Sequence, residues 1–454
     1  MERIFKLKEH NTDIKTEIIA GITTFTTMAY ILAVNPSMLG DAGMDTGAVF
    51  TATALASFVA CLMMGLVANL PFALSAGMGL NAYFAYTVCG QMGYSWQAAL
   101  AAVFVEGLLF IILSLTNIRE AVFNAIPKTM KFAVSVGVGL FITFSGLQNA
   151  HVVVDSTTLV GIFSFKASVD AGTFHTEGIT VLLALIGIPI TAILLIKKVK
   201  GNILIGIFAT WLLGIICQLT GLYVPDPEAG FHSLLPDGIF SMPASMAPTF
   251  LKMSFAGMKI MDFIVIMLAL LFVDMFDTLG TVIGCAAKAN MLDKDGRLPG
   301  VRGVLLSDAM GTTVGAAFGT STVTTFVESS AGIADGGRTG LTTIVTGFLF
   351  LLSLFLSPVF LAVPSFATAP ALVIVGFMMM QQVTKIDFED LSEAIPAFMA
   401  MIAMPFLYSI SAGISFGVIS YVAINLALGK RQKISPLMYA LAVIFILKYV
   451  LLHS

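Results

Sequence analysis

Apolar runs long enough to span a bilayer as helices follow one another from residue 17 to the C-terminus, separated by short polar stretches. A helix needs about 20 predominantly apolar residues to cross the hydrocarbon core. The pattern predicts segments at 17–38, 47–70, 73–91, 97–116, 128–149, 178–196 and 202–221 in the first half of the chain. It predicts 261–284, 302–318, 321–336, 339–363, 367–382, 391–410 and 413–429 in the second half. A further apolar segment, 436–452, either crosses once more or lies along the membrane. The stretch 244–260 mixes Met and Phe with Lys252 and Lys259, which predicts an interfacial helix leading into the eighth segment.

Two segments break the pattern. The tenth lies within TSTVTTFVESSAGIADGGRTG, Thr320 to Gly340. Its first part is polar and β-branched, the composition of a short extended stretch. Glu328, Ser329 and Ser330 then supply N-cap chemistry for a short helix that ends at Gly336-Gly337. An extended half joined to a half-helix leaves backbone groups unpaired, so it survives at membrane depth only inside protein or beside a cavity. The short third segment, FALSAGMGLNAYFAYTVCG, has the same organisation, with Asn81 near the start of its helical part. Seven segments followed by seven imply an inverted repeat, with the two half-helices meeting tip to tip near the midplane. Broken helices of this kind build transporter substrate sites.

Charge adds orientation. With Arg3, Lys6, Lys8 and Lys15 inside, the basic loops fall after even-numbered segments: Arg119, Lys128 and Lys131; Lys197, Lys198 and Lys200; Lys288, Lys294, Arg297 and Arg302; Lys430, Arg431 and Lys433. The opposite loops carry Asp155 or the run Pro225, Asp226, Pro227 and Glu228. This alternation predicts fourteen spans and a cytoplasmic N-terminus. Only 11% of the 454 residues are charged, 58% are hydrophobic, and mean hydropathy is +0.97, so a soluble globular fold is excluded. A net charge of −3 points to no nucleic-acid partner. Four dispersed cysteines without a CxxC argue against a zinc site or a disulfide framework. The five histidines lie in loops or at termini, and no nucleotide-binding or HExxH motif occurs. No cleavable signal peptide is visible, and no cofactor is implied.

Candidate chemistry sits in the apolar runs. The eighth segment carries Asp274 and Asp277 on one helical face, with Thr281 one turn beyond. Each Asp at a helix centre costs about 2.5–3.5 kcal/mol on insertion, so the pair either serves function or turns to a neighbouring span as a neutralised polar pair. Thr23, Thr24, Thr26 and Thr27 in the first segment either bond back to their own helix or, in the case of Thr27, face the site. Phe326 lies two residues before Glu328 on the extended half, on the same side, where it could stack on a flat ring or simply pack. Glu106 is placed to pair across the bundle, and Asp308 and Asp335 to face water or a cap.

The runs GITTFTTMAYILAVNP, GMGLNAYFAY, FVDMFDTLGT, GTSTVTTFVESSAGI and GGRTG resemble those of bacterial guanine/hypoxanthine permeases. These belong to the second nucleobase–cation symporter family, with the uracil permease and the nucleobase–ascorbate transporters. The resemblance covers essentially the whole chain. It implies an all-α fold of fourteen segments, divided into a core domain (spans 1–4 and 8–11; residues 17–127 and 244–363) and a gate domain (spans 5–7 and 12–14; residues 128–243 and 364–434). Residues 1–16 form a cytoplasmic N-terminus and 435–454 a C-terminal apolar segment. It further implies a base held by Asp277 and Glu328, with Thr27 and Asn81 around it; Phe326 and Thr281, from the reading of the residues above, are candidates to line the same cavity. The acids open to carrying a coupling proton are Glu328, Asp277 and Asp274. Implied partners are a purine base, a coupling cation (a proton, with sodium left open) and the lipid of the cell membrane; a homodimer is left open. An adenine-preferring permease and an anion carrier of the same architecture remain alternatives. A membrane-embedded enzyme is disfavoured, because no nucleophile–base pair lies at membrane depth.

Overall fold

The computed structural model describes residues 2–116, 126–156, 159–227, 230–236, 238–289, 291 and 298–451. Arg119, Glu228, Lys294 and Arg297 from the orientation pattern lie outside the described residues, as does His453. The first half contains α1 (Ile14–Met28), α2 (Ile31–Asp41), α3 (Thr46–Met63), β1 (Leu74–Ala76), α4 (Met78–Ala82), α5 (Trp96–Leu115), α6 (Lys128–Asn149), α7 (Ile179–Ile196) and α8 (Asn202–Leu219). A small hairpin, β2 (Val153–Ser156) with β3 (Leu159–Ile162), lies between α6 and α7. The second half contains α9 (Ile260–Lys288), α10 (Val301–Phe318), β4 (Val323–Thr325), α11 (Ser329–Ala334), α12 (Gly340–Ser353), α13 (Ser365–Met380), α14 (Leu391–Phe406) and α15 (Ile410–Ala427). The C-terminal apolar segment is a helix, α16 (Pro436–Leu451), packed on α15 and α9. Among the described residues, nine helices are long and apolar enough to cross a membrane by length and composition.

The helices sort into two packed groups. In one, α12 lies on α1 and α3, α10 on α5 and α3, and α11 on α1. In the other, α6 lies on α13 and α14, α14 on α15, and α7 on α8 and α13. The long α9 touches members of both. This is the two-part helical membrane fold expected from the sequence.

At its centre the third and tenth segments are broken as predicted. β1 and β4 pair antiparallel, with Leu74 opposite Thr325, Ser75 opposite Thr324 and Ala76 opposite Val323. Each strand satisfies the other's backbone where water cannot, and Gly77 N–H to Thr322 O and Phe326 N–H to Ala73 O extend the ladder at both ends. Neighbouring helices close the remainder: the Thr312 hydroxyl donates to Val323 O, and the Ser329 hydroxyl accepts from Ala73 N–H. Gly77 is required for the close approach, since a Cβ there would lie 2.6 Å from Thr324 Cγ2.

The first segment runs Ile14–Asp41 as one span that tightens at Ala29–Tyr30, where Leu32 N–H bonds to Ala29 O and Ala33 N–H to Tyr30 O. One expectation fails locally. Residues 244–260 do not form an interfacial helix. Pro243 and Pro248 lack donors, and Leu251 (φ 52°) and Gly257 (φ 84°) are left-handed. The segment is instead pinned to helix ends: Leu251 N–H donates to Ala317 O, Ser254 N–H to Gln97 O, and the Thr51 hydroxyl to Ala244 O.

Candidate functional site

The crossing of β1 and β4 gathers the polar groups that the sequence scatters over 300 positions. Glu328 follows β4 and precedes α11. Its carboxylate makes no capping bond to that helix, contrary to the sequence reading, and its backbone is already helical (φ −59°, ψ −20°). It accepts instead from the Tyr30 hydroxyl at 2.8 Å. Ser329 does not cap it either; its hydroxyl serves Ala73.

Asp277 on α9 is half-buried and near enough to Glu328 for their charges to interact. Among the described residues its carboxylate has no hydrogen-bond partner. Thr281, one turn on, is likewise half-buried. Phe326 is almost fully buried, with its ring centroid 6.4 Å from that of Tyr30 at a 46° tilt. The Thr27 hydroxyl bonds back to Thr24 O at 2.8 Å and Thr23 O at 3.1 Å, and lies 3.5 Å from Glu328 O. Thr27 therefore bonds back to its own helix and also reaches the backbone of Glu328. Asn81 is fully buried; its Oδ1 accepts from the Ser321 hydroxyl, and its Nδ2 has no partner among the described residues.

Asp274 has a different setting from Asp277. It is fully buried, with Oδ1 3.2 Å from the Thr278 hydroxyl, which also lies 2.8 Å from Asp308 and 2.7 Å from the Thr324 hydroxyl on β4. Asp308 thus faces the protein interior and not water, correcting the sequence expectation: it reaches the back of β4 through Thr278. Glu106 does pair across the bundle, accepting from Thr322 at 2.9 Å. Asp335 is the C-cap residue of α11 and bonds to Thr23 (2.6 Å) and Lys200.

Three residues with central roles were missed. Tyr30 lies inside the quoted run GITTFTTMAY, one turn after Thr27, and that i,i+3 spacing was the available signal. Glu17, the first residue of the first predicted segment, is fully buried and accepts from Arg338 N–H (2.9 Å), Thr342 N–H (3.2 Å) and the Thr342 hydroxyl (2.6 Å), capping α12. The Arg338 guanidinium in turn donates to Ile333 O and Gly337 O at the end of α11. The GGRTG run is therefore a clamp that fixes the short helix behind Glu328. It makes no contact with the acids of the site among the bonds described.

A family model described as Permease family (Xan_ur_permease) matches residues 15–416, nearly the whole helical body. This chain belongs to that permease family. The permease is 42% identical to the guanine/hypoxanthine permease PbuG of Bacillus subtilis, with all of both chains covered. It is 39% identical to the adenine permease AdeP of Escherichia coli, covering 100% of this chain and 97% of that one. Among solved structures it resembles the transmembrane domain of the cyanobacterial bicarbonate transporter BicA, with a TM-score of 0.63 at 16% identity over 88% of this chain and 97% of that one. That likeness establishes the fold alone. The family resemblance read from the five motifs is borne out, and these relatives are transport proteins.

Proposed function

We propose that this permease imports purine nucleobases across the cell membrane by cation symport, with a proton as the coupling cation and guanine and hypoxanthine preferred. The observation that carries this reading is a half-buried carboxylate, Asp277, without a hydrogen-bond partner among the described residues, beside a second carboxylate that Tyr30 orients. A base is flat, neutral and rich in edge donors. Asp277 accepts from its ring N–H groups, Phe326 faces the ring, and Thr27, Thr281 and Asn81 complete the walls. Two carboxylates in Coulombic contact are costly to ionise together, and one proton between them removes that cost. Glu328 is the acid we assign to that proton. The helix group holding the site then slides against the other, with the N-terminus in the cytoplasm.

Chemistry sets the ranking of bases. Hypoxanthine presents N1–H to a carboxylate and guanine adds a 2-amino group, whereas adenine presents an acceptor at N1. A site that bonds one edge rejects the wrong one because buried groups are left unpaired. The relative named an adenine permease supports a second reading, in which adenine is preferred. An anion carrier is less well supported: among the described residues no Lys or Arg bonds to Asp277 or Glu328. Uptake of radiolabelled hypoxanthine by cells lacking their own carriers, with guanine, adenine, uracil and sulfate as competitors, tests all three. Equal competition by adenine overturns the preference, and competition by sulfate alone overturns the nucleobase reading.

A further inference from the structure

Asp277 belongs to α9 and Glu328 to the junction of β4 with α11, so their separation is set by whatever joins those elements. One residue after Asp277, the Thr278 hydroxyl lies 2.7 Å from the Thr324 hydroxyl on β4 and 2.8 Å from Asp308 Oδ1 on α10. Asp274 Oδ1, at 3.2 Å, is the longer contact. Thr278, Thr324 and Asp308 are all buried. A hydroxyl carries a single proton to donate. With Thr278 donating to Asp308, Thr324 donates to Thr278, and the result is a directed chain from β4 through α9 to α10.

Each end of this chain is stiff beside its acid. Thr278 and Asp277 share one turn of α9. On the other side, Ala73 brackets the stretch that leads from β4 to Glu328. Its carbonyl accepts from Phe326 N–H and its own N–H donates to the Ser329 hydroxyl, each at 2.9 Å. Thr324 and Glu328 therefore move together. The helix α9 also packs on α6 and α15 of the other group, so a shift between the groups pulls it away from β4. Two valines would fill the same space without the cost of burying an acid and two hydroxyls. Apolar packing has no direction, whereas a bonded chain fixes a distance.

We propose that Thr278 is a positioning residue for the transported base: through Thr324 and Asp308 it sets the spacing of Asp277 and Glu328, and with it the width of the slot that takes the ring. The assignment rests on the nucleobase reading above. A base that bridges two carboxylates needs them at a fixed span, since N–H···O bonds hold only over about 2.7–3.2 Å. The same spacing sets how strongly the two charges oppose each other. Asp277 is faced by Glu328 and Asp308, and Glu328 by the Tyr30 hydroxyl. Thr324→Val leaves the Thr278–Asp308 bond in place, so it acts on the separation of Asp277 from Glu328.

The test is equilibrium binding of radiolabelled hypoxanthine, measured across pH, to the full-length protein in lipid nanodiscs. Thr278→Val and Thr324→Val keep the side-chain shape and remove the hydroxyl. Each should weaken binding about ten-fold, the scale of one buried bond lost. The double variant should bind no more weakly than the poorer single one, because both changes cut the same bond. A relaxed spacing also lowers the repulsion between the acids, so the pH profile of binding should move to lower pH, by roughly half a unit per ångström. Thr278→Ser keeps the hydroxyl and should match wild type in affinity and profile. Should Thr278→Val fail to fold, Thr324→Val decides alone. Wild-type affinity in the valine variants, losses that add in the double variant, or an unmoved pH profile overturns the positioning role and leaves the nucleobase reading standing. No hypoxanthine bound by wild type overturns the nucleobase reading, and the positioning role with it.

Discussion

The Tyr30 hydroxyl donates to Glu328 Oε1 at 2.8 Å although the two residues lie 298 positions apart. The bond ties the break between α1 and α2 to the junction of β4 with α11. One oxygen of the acid is thereby committed, and its orientation is set by a fully buried ring that also leans on Phe326. Tyr30→Phe keeps the ring and its packing and removes only the donor. Base affinity should fall by about 1.5–3 kcal/mol, the scale for a hydrogen bond to a charged group. Insertion and melting temperature should change little. Binding calorimetry beside a thermal melt checks both parts.

Asp277 and Asp274 differ in setting, so their amide variants should differ in kind. Asp277→Asn removes an acceptor that no described group engages; uptake should be lost while membrane expression holds. Asp274→Asn alters the cluster with Thr278 and Asp308, and should lower melting temperature more than it lowers uptake. Radiolabelled uptake and expression level, read on both variants, decide the matter. Loss of expression in Asp277→Asn would give that residue the structural role.

Gly332 sets how closely α11 approaches α1. A Cβ there would lie 2.1 Å from Thr24 Oγ1 and 2.5 Å from Ala20 O, a backbone atom that cannot swing aside. Gly332→Ala should destabilise by ~1–3 kcal/mol through overpacking. It should also depress uptake, because the displaced helix starts at Glu328. Thermal unfolding in detergent and transport in proteoliposomes give the two readings.

Much of this was legible in the sequence, for physical reasons. Hydrocarbon forbids unpaired backbone, so the polar, β-branched run 320–325 could only be an extended stretch at membrane depth, and β4 is there. The like organisation of the short third segment was legible too, but not the antiparallel pairing of its extended stretch with β4. Side-chain direction did not follow. Glu328 looked like a capping acid because it precedes Ser329 and Ser330, yet the partner of its carboxylate is Tyr30, between α1 and α2, far along the chain. Asp308 looked terminal by position in its segment, but it is fully buried and bonded to Thr278. Glu17 opens the first predicted span without a visible role, since nothing local signals a donor 321 positions away.

Asp335 links the two helix groups, accepting from Thr23 on α1 and from Lys200 in the α7–α8 connection. Lys200 is largely exposed, so salt should weaken the link. Raising ionic strength should alter uptake kinetics of wild type and leave those of Lys200→Gln unchanged.

The central claim is that Asp277 and Glu328 hold the base together and that Glu328 carries the coupling proton. Glu328→Gln keeps the length and the ability to bond one base edge, but it cannot exchange a proton. The deciding measurement is hypoxanthine transport by this variant in proteoliposomes, compared as accumulation driven by a pH gradient and as counterflow against preloaded base. Counterflow should persist while driven accumulation disappears and binding loses its pH dependence. Accumulation that stays fully pH-driven in Glu328→Gln would contradict it.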